Sequence, residues 1–242
     1  RKEREMATVT ERTAAAPARP AAAREPNAHV FSLDGVSWEA YCALRDSLDA
    51  NGRSNIRLTY DRGRLDLVAP MHTHEWPKMA LHAAVLVLTQ EYGIPRRSLG
   101  STTFRKAAEE KGFEPDQCYF LRKEKLAPFR RWPKRDLDIA SVAPPDLTIE
   151  IDVTNSSVDR LPLHAAWGVG EVWRVDEQGD AVTILLLEGR EYLPGDSRLF
   201  PGLTGAFLAE ALALDADDED AWMEAFRATV RGRLKPGERK SP

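Results

Sequence analysis

The stretch PPDLTIEIDVTNSS, residues 144–157, carries the densest chemistry of the chain. Leu147, Ile149, Ile151 and Val153 alternate with Thr148, Glu150, Asp152 and Thr154. A period of two describes a strand with one apolar and one polar face. Asp146, Glu150 and Asp152 share the polar face, with successive same-face residues about 6–7 Å apart. Carboxylates at that spacing repel unless water, a cation or basic side chains offset them. A hard divalent cation ligated by carboxylate oxygens is one solution. A solvated sheet face is the other, because one wet face is usual in antiparallel sheets.

Further candidates stand elsewhere. His74, Glu75 and Lys78 fall in the first turns of a helix predicted over 73–92, and His74 and Lys78, four apart, share a face. An acid at a helix start also simply complements the macrodipole. His72 and His74 hint at zinc, but no third ligand follows at a recognisable spacing, so zinc is not expected. Asp116 follows Pro115 at the start of a strand, where aspartate commonly serves a turn. Residues 122–135, RKEKLAPFRRWPKR, hold seven basic residues, one acid (Glu124), and the aromatics Phe129 and Trp132. Basic side chains with an aromatic between them suit a nucleic-acid backbone, with Arg130, Arg131, Trp132, Lys134 and Arg135 as the contacts. An ordinary solvated charge run is the alternative.

These groups need a frame. With 242 residues, 43% hydrophobic and 30% charged, the chain can build one sizeable domain with tails. Residues 1–28 are rich in Ala, Arg and Pro and poor in large apolar groups, so a disordered tail is expected there. A single domain follows over 29–233, and then a basic tail over 234–242. The net charge of −4 does not mark a general nucleic-acid binder, although local charge can still act. Cys42 and Cys118 lie in regular elements and read as reduced thiols of a cytoplasmic protein. No apolar run approaches transmembrane length, and no internal repeat is visible.

In chain order, Ser37 caps a helix over 38–49 with Trp38, Tyr41, Leu44 and Leu48 on one stripe. IRLTYD and RLDLVAP form a hairpin turning at Arg62-Gly63. The helix 73–92 follows, capped by Thr73, with Met79, Ala83, Leu86 and Val87 as its buried stripe. Strands are predicted over SLGSTTFRK (98–106), at 116–121 and at 146–153, then a helix over 158–167 and a strand over 170–175. A hairpin at 180–187 and 190–193 and helices over 205–213 and 218–232 complete the chain.

The central order is helix, strand, strand, strand, helix, strand, with an acid entering the second strand and another in the third. That α/β pattern resembles the PD-(D/E)XK restriction-endonuclease-like core, here with an N-terminal helix and hairpin and C-terminal helices added. More closely, YDRGRLDLVAPMHTHEWPKMAL, SLGSTTFRK, GFEPDQCYF and PPDLTIEIDVTNSSVDRLPLHAAWGVGEVWRVD look like the Uma family of restriction-endonuclease-like proteins, over roughly residues 36–205.

The resemblance implies roles. Glu75 matches the helix acid, Asp116 the acid of the PD motif and Glu150 the acid of the third strand. Together they would hold Mg²⁺ or Mn²⁺ for hydrolysis of DNA phosphodiester bonds. Asp152 stands where the general nuclease pattern has lysine. In the Uma family that lysine is commonly moved to the following helix, and Arg160 occupies the matching place. Arginine can stabilise charge but cannot act as a general base, so Lys78 is a second candidate for the cationic role. His164 stands where relatives often have tyrosine. The leading expectation is a metal-dependent endonuclease acting on DNA, with a homodimer by analogy with double-strand cutting. The alternatives are a catalytically impaired nuclease fold that binds nucleic acid, and a purely structural or interaction protein.

Overall fold

The computed structural model describes residues 28–50, 56–70, 75–129, 143–152, 159–176 and 180–234. The N-terminal part comprises β1 (Ala28–Leu33), α1 (Trp38–Ala50), β2 (Arg57–Asp61) and β3 (Arg64–Pro70). Next come α2 (Glu75–Glu91), β4 (Arg97–Ser98), β5 (Phe104–Lys106), β6 (Lys111–Phe113), β7 (Gln117–Phe120) and β8 (Leu147–Ile151). The chain continues through α3 (Leu161–Trp167), β9 (Glu171–Val175), β10 (Val182–Glu188), β11 (Glu191–Pro194), α4 (Gly205–Leu212) and α5 (Glu219–Arg233).

Two sheets result. A six-stranded sheet runs β11-β10-β9-β8-β7-β4, and a five-stranded sheet runs β1-β3-β2-β6-β5. β8 and β9 are parallel, and α3 makes the crossover between them. All five residues of β8 are buried. Leu147, Ile149 and Ile151 join the main core with α2, α4 and α5. The opposite face of the sheet packs on α3 and the smaller sheet through Cys118, Leu163, Phe104 and Phe113. The smaller sheet covers its other face with α1, through Tyr41, Leu58, Tyr60 and Leu65.

Local chemistry explains several boundaries. Ser37 Oγ accepts the Ala40 N–H at 3.1 Å and starts α1, as its position before the apolar stripe predicts. Thr204 and Asp218 cap α4 and α5 in the same way. Gly168 ends α3 in the left-handed region at φ 74°, where a Cβ would be strained. The Thr73 cap expected for α2 lies outside the described residues.

Four expectations change. β1 adds a strand before the predicted helix and pairs antiparallel with β3. The strand expected over 98–106 divides, because β4 joins the larger sheet and β5 the smaller. The stripe of α2 is Ala80, Leu81, Ala84, Val85, Val87 and Leu88, whereas Met79 is 45% exposed. That helix is apolar on nearly every side, so periodicity alone could not select its buried face. The fourth change concerns residues 122–135. Their first part folds into a 3₁₀ segment, Lys123–Phe129, with Phe129 buried against Phe120. The contact residues Arg130, Arg131, Trp132, Lys134 and Arg135 lie outside the described residues.

Candidate active site

The antiparallel register pairs Gln117 with Ile149 and Cys118 with Thr148. One step further along the same direction, Asp116 meets Glu150 on a shared face. Both are buried, Asp116 completely. Asp116 Oδ2 accepts the Ile151 N–H at 2.7 Å, which ties the start of β7 to the end of β8. The bond satisfies a backbone donor next to Glu150 and fixes the two carboxylates relative to each other.

Burying two like charges side by side requires opposite charge. Arg160, at the entry to α3, brings Nη1 to 2.8 Å from Glu150 Oε2. That contact is ionic, without the alignment of a hydrogen bond. His164, one turn along α3, places Nε2 2.7 Å from Glu150 Oε1 and Nδ1 3.1 Å from Thr148 Oγ1. Its ring is fully buried and meets Phe113 edge-on with centroids 4.5 Å apart. His164 is therefore no surface histidine of α3 but part of the support of Glu150. Burial alone would raise the Glu150 pKa. Arg160, His164 and Arg57 outweigh that effect and hold the carboxyl below its ordinary range.

The second guanidinium comes from the smaller sheet. Arg57, first residue of β2, ion-pairs with Asp116 Oδ1 and is itself buried. Burial pushes it down to about 10, with the guanidinium of Arg160 acting in the same direction and Glu150, Glu75 and Glu114 opposing. Arg57 thus stands within electrostatic reach of all three acids expected at the site.

Behind this pair lies another. Arg45 of α1 is 1% exposed and sits 2.7 Å from Glu114 Oε1, which also accepts from Thr103 at 3.0 Å. Burial pushes the Glu114 carboxyl up, against the pull of Arg45. The backbone carbonyl of Glu114 accepts from Arg160 Nη2. A chain of polar contacts therefore runs from α1 through Glu114 to Arg160 and Glu150.

The remaining candidates stand further out. Glu75 opens α2 and is half-exposed, with Lys78 Nζ 3.0 Å from its Oε2. Asp146 and Asp152 do not join Glu150. Asp146 takes Lys125 Nζ at 2.6 Å, Arg122 at 3.2 Å and the Leu121 N–H at 2.7 Å. Asp152 takes Arg174 Nε at 2.6 Å. Of the ways to offset the carboxylates of this strand, the structure uses basic side chains, a separate set for each acid. Among the described residues, no group of three or more His, Cys, Asp or Glu side chains is arranged to hold a metal ion.

Asp116 and Glu150 nevertheless form an all-oxygen pair that suits Mg²⁺ or Mn²⁺. Mg²⁺ in particular is commonly held by one or two carboxylates and keeps several waters. In the structure both carboxylates carry cationic partners, Arg57 on Asp116 and Arg160 on Glu150.

Sequence reasoning did not find Arg57, Arg45 or Glu114. A charged residue in a strand or helix reads as solvent-facing, and nothing local marks these three as buried. Arg45 lies one position after Leu44 of the predicted stripe, which is the nearest thing to a signal.

The order α2, β7, β8, α3, β9, with Asp116 at the start of β7 and Glu150 on β8 beside the guanidinium groups of Arg57 and Arg160, is that of a restriction-endonuclease-like α/β protein. The chain belongs to the Uma2 family, described as "Putative restriction endonuclease", whose model matches residues 38–211. Among solved structures it is similar to a crystal structure of a nuclease, named as putative, of DUF820 from Anabaena variabilis. The identity is 17% and the TM-score 0.41, over 69% of this chain and 90% of that one. A search of curated proteins found no match. Among the described residues, no helix is long and apolar enough to cross a membrane, and Cys42 and Cys118 are free thiols.

Proposed function

We propose that this chain is an endonuclease that hydrolyses phosphodiester bonds of DNA, using Mg²⁺ or Mn²⁺ held by Asp116 and Glu150. The observation that carries the reading is the pair itself: two buried carboxylates on neighbouring strands, facing guanidinium groups from two other elements. When bound, the ion would activate water and neutralise charge developing on the phosphodiester.

The protein's own groups do the rest. Asp116 and Glu150 supply the hard oxygen donors. Glu75, at the more open edge, completes the donor set or orients a water. Arg160 holds Glu150 and brings a fixed positive charge to the site where a phosphate would sit. It stays protonated, so the proton of an attacking water must leave by another route. Lys78, ion-paired to Glu75 at 3.0 Å, is the second candidate for the cationic role at the phosphate. The basic and aromatic residues Arg130, Arg131, Trp132, Lys134 and Arg135 would track the DNA backbone. Cleavage of both strands would call for two such sites, hence a homodimer. Free Cys42 and Cys118 fit a reducing compartment such as the cytoplasm.

One observation favours a second reading, a nuclease fold that binds nucleic acid without cutting it. Arg160 takes the place of the lysine and is ion-paired to the very carboxylate a metal would need. Glu150→Gln separates the two, because it keeps the shape of the side chain and removes the charge. Under the nuclease reading, nicking of plasmid DNA with Mn²⁺ vanishes in the variant while DNA retention persists. Equal nicking by both proteins would trace the activity to a contaminant. No nicking by either, with salt-sensitive binding in both, would establish the binding module.

A further inference from the structure

Arg57 has no role in the reading of the site so far, yet its surroundings are specific. It belongs to β2 of the smaller sheet, whereas Asp116 and Glu150 belong to the larger one. Along β2, Leu58 and Tyr60 turn to the α1 side and pack there. Arg57 and Thr59 alternate to the other face, and both are buried. At the end of that face the guanidinium reaches Asp116 and feels Glu150 and Glu75.

The charges around it are balanced as they stand. Asp116 and Glu150 contribute two negative charges, and Arg57 and Arg160 two positive ones. A divalent cation between the carboxylates would turn this neutral buried set strongly positive. Buried excess charge is costly whichever its sign. The least anchored positive group should therefore yield. Arg160 is held on two sides, by Glu150 and by the Glu114 carbonyl. Arg57 approaches from a separate sheet and meets Asp116 Oδ1; the other oxygen is taken by the Ile151 N–H.

We propose that Arg57 is the site's resident counter-cation: its guanidinium occupies the cation position beside Asp116 in the metal-free protein and is displaced when a divalent ion binds. This inference rests on the metal-site reading above and adds a competition to it. Arg57 is a positioning residue that keeps the two carboxylates together while no ion is present. It also sets a threshold, because an ion must outcompete a covalently tethered cation. Once displaced, the guanidinium is free to meet an anionic phosphodiester, which would restore the charge balance.

The test is calorimetric titration with Mn²⁺ of the wild-type chain, Arg57→Gln and Arg57→Lys, alongside thermal melting with and without Mn²⁺. Removing the competitor should tighten Mn²⁺ binding about tenfold in the Gln variant, within the usual range of site-to-site coupling. The same variant should melt lower than wild type without metal and gain more from Mn²⁺. The Lys variant, with the charge kept but the planar fork lost, should fall between. If wild type binds Mn²⁺ and both variants bind it equally or more weakly, Arg57 is an ordinary brace and the proposal is overturned, while the metal site stands. If neither wild type nor a cooperatively melting Gln variant binds Mn²⁺, the metal-site reading fails and the competition with it. If the Gln variant does not fold, the Lys variant decides: tighter Mn²⁺ binding than wild type supports the proposal, and unchanged or weaker binding overturns it.

Discussion

Arg45→Met probes the support behind the site. Methionine keeps the apolar stem of the arginine but removes the guanidinium that lies 2.7 Å from Glu114 Oε1. Glu114 is 4% exposed and would keep only the Thr103 hydroxyl as a described side-chain partner. Breaking a buried ion pair from one side costs about 3–5 kcal/mol, because the surviving charge stays in a poorly polarisable place. The second partner of Arg45, Asp49, is half-exposed, and its share is at most about 1 kcal/mol. For a domain of this size each kcal/mol moves Tm by about 2–4 °C, so the variant should melt about 6–20 °C lower. Glu114→Gln in the same chain removes the stranded charge and keeps an acceptor for Thr103. The double variant should therefore recover most of the loss. Thermal melting followed by circular dichroism reads both effects. A drop below about 3 °C in the single variant, or no recovery in the double, would refute the claim that Glu114 depends on Arg45.

Two other outcomes follow from the fold and the sequence. At Gly112 an added Cβ would fall inside the phenol of Tyr41, which lies stacked on Tyr60. Gly112→Ala should thus cost about 1–3 kcal/mol by overpacking, read as a lower Tm, and an unchanged Tm would mean that α1 shifts freely. Replacing Arg130, Arg131, Lys134 and Arg135 with Ser should flatten the salt dependence of DNA binding by up to about four contacts at roughly −0.9 each. An unchanged slope would remove this stretch from the interface.

The elements with a clean period were legible in the sequence. The amphipathic stripe of α1, the hairpin at Arg62-Gly63 and the alternating strand β8 each stand where their pattern places them, although β2 and β8 are buried on both faces. The segment 98–106 was harder, because its two halves pair in different sheets and nothing local records that division. The pairing of Asp116 with Glu150 was an implication of the family resemblance, and the register of β7 on β8 brings the two acids side by side. Their counter-charges could not be read in the same way. Arg57 lies 59 residues from Asp116 in the chain numbering, and Arg45 lies 69 from Glu114. Docking of the smaller sheet on the larger brings Arg57 to Asp116, and packing of α1 on the smaller sheet brings Arg45 to Glu114. For Asp146, Glu150 and Asp152 the sequence could not say which of water, a cation or basic side chains would offset them. Strand parity put them on one face, but basic groups from 122–125, α3 and β9 reach them one at a time.

The fold itself shows that a buried acid here does not require a cation. Glu171 on β9 is 1% exposed and accepts from the Trp173 indole at 2.7 Å, the Ser197 hydroxyl at 2.7 Å and the Arg198 N–H at 3.0 Å. Neutral donors in fixed positions satisfy it, and it ties β9 to the turn before α4. Glu150, one strand away in the same sheet, is treated differently: a guanidinium on one oxygen, an imidazole on the other and a second guanidinium within reach. Buried ion pairs of this kind are weak contributors to stability, since well-packed apolar groups often do as well or better. The same sheet buries one glutamate with neutral donors and surrounds another with cationic side chains, so its positive charge is concentrated at the Asp116–Glu150 pair. Under the reading proposed above, an ion or a phosphate would trade places with a guanidinium there.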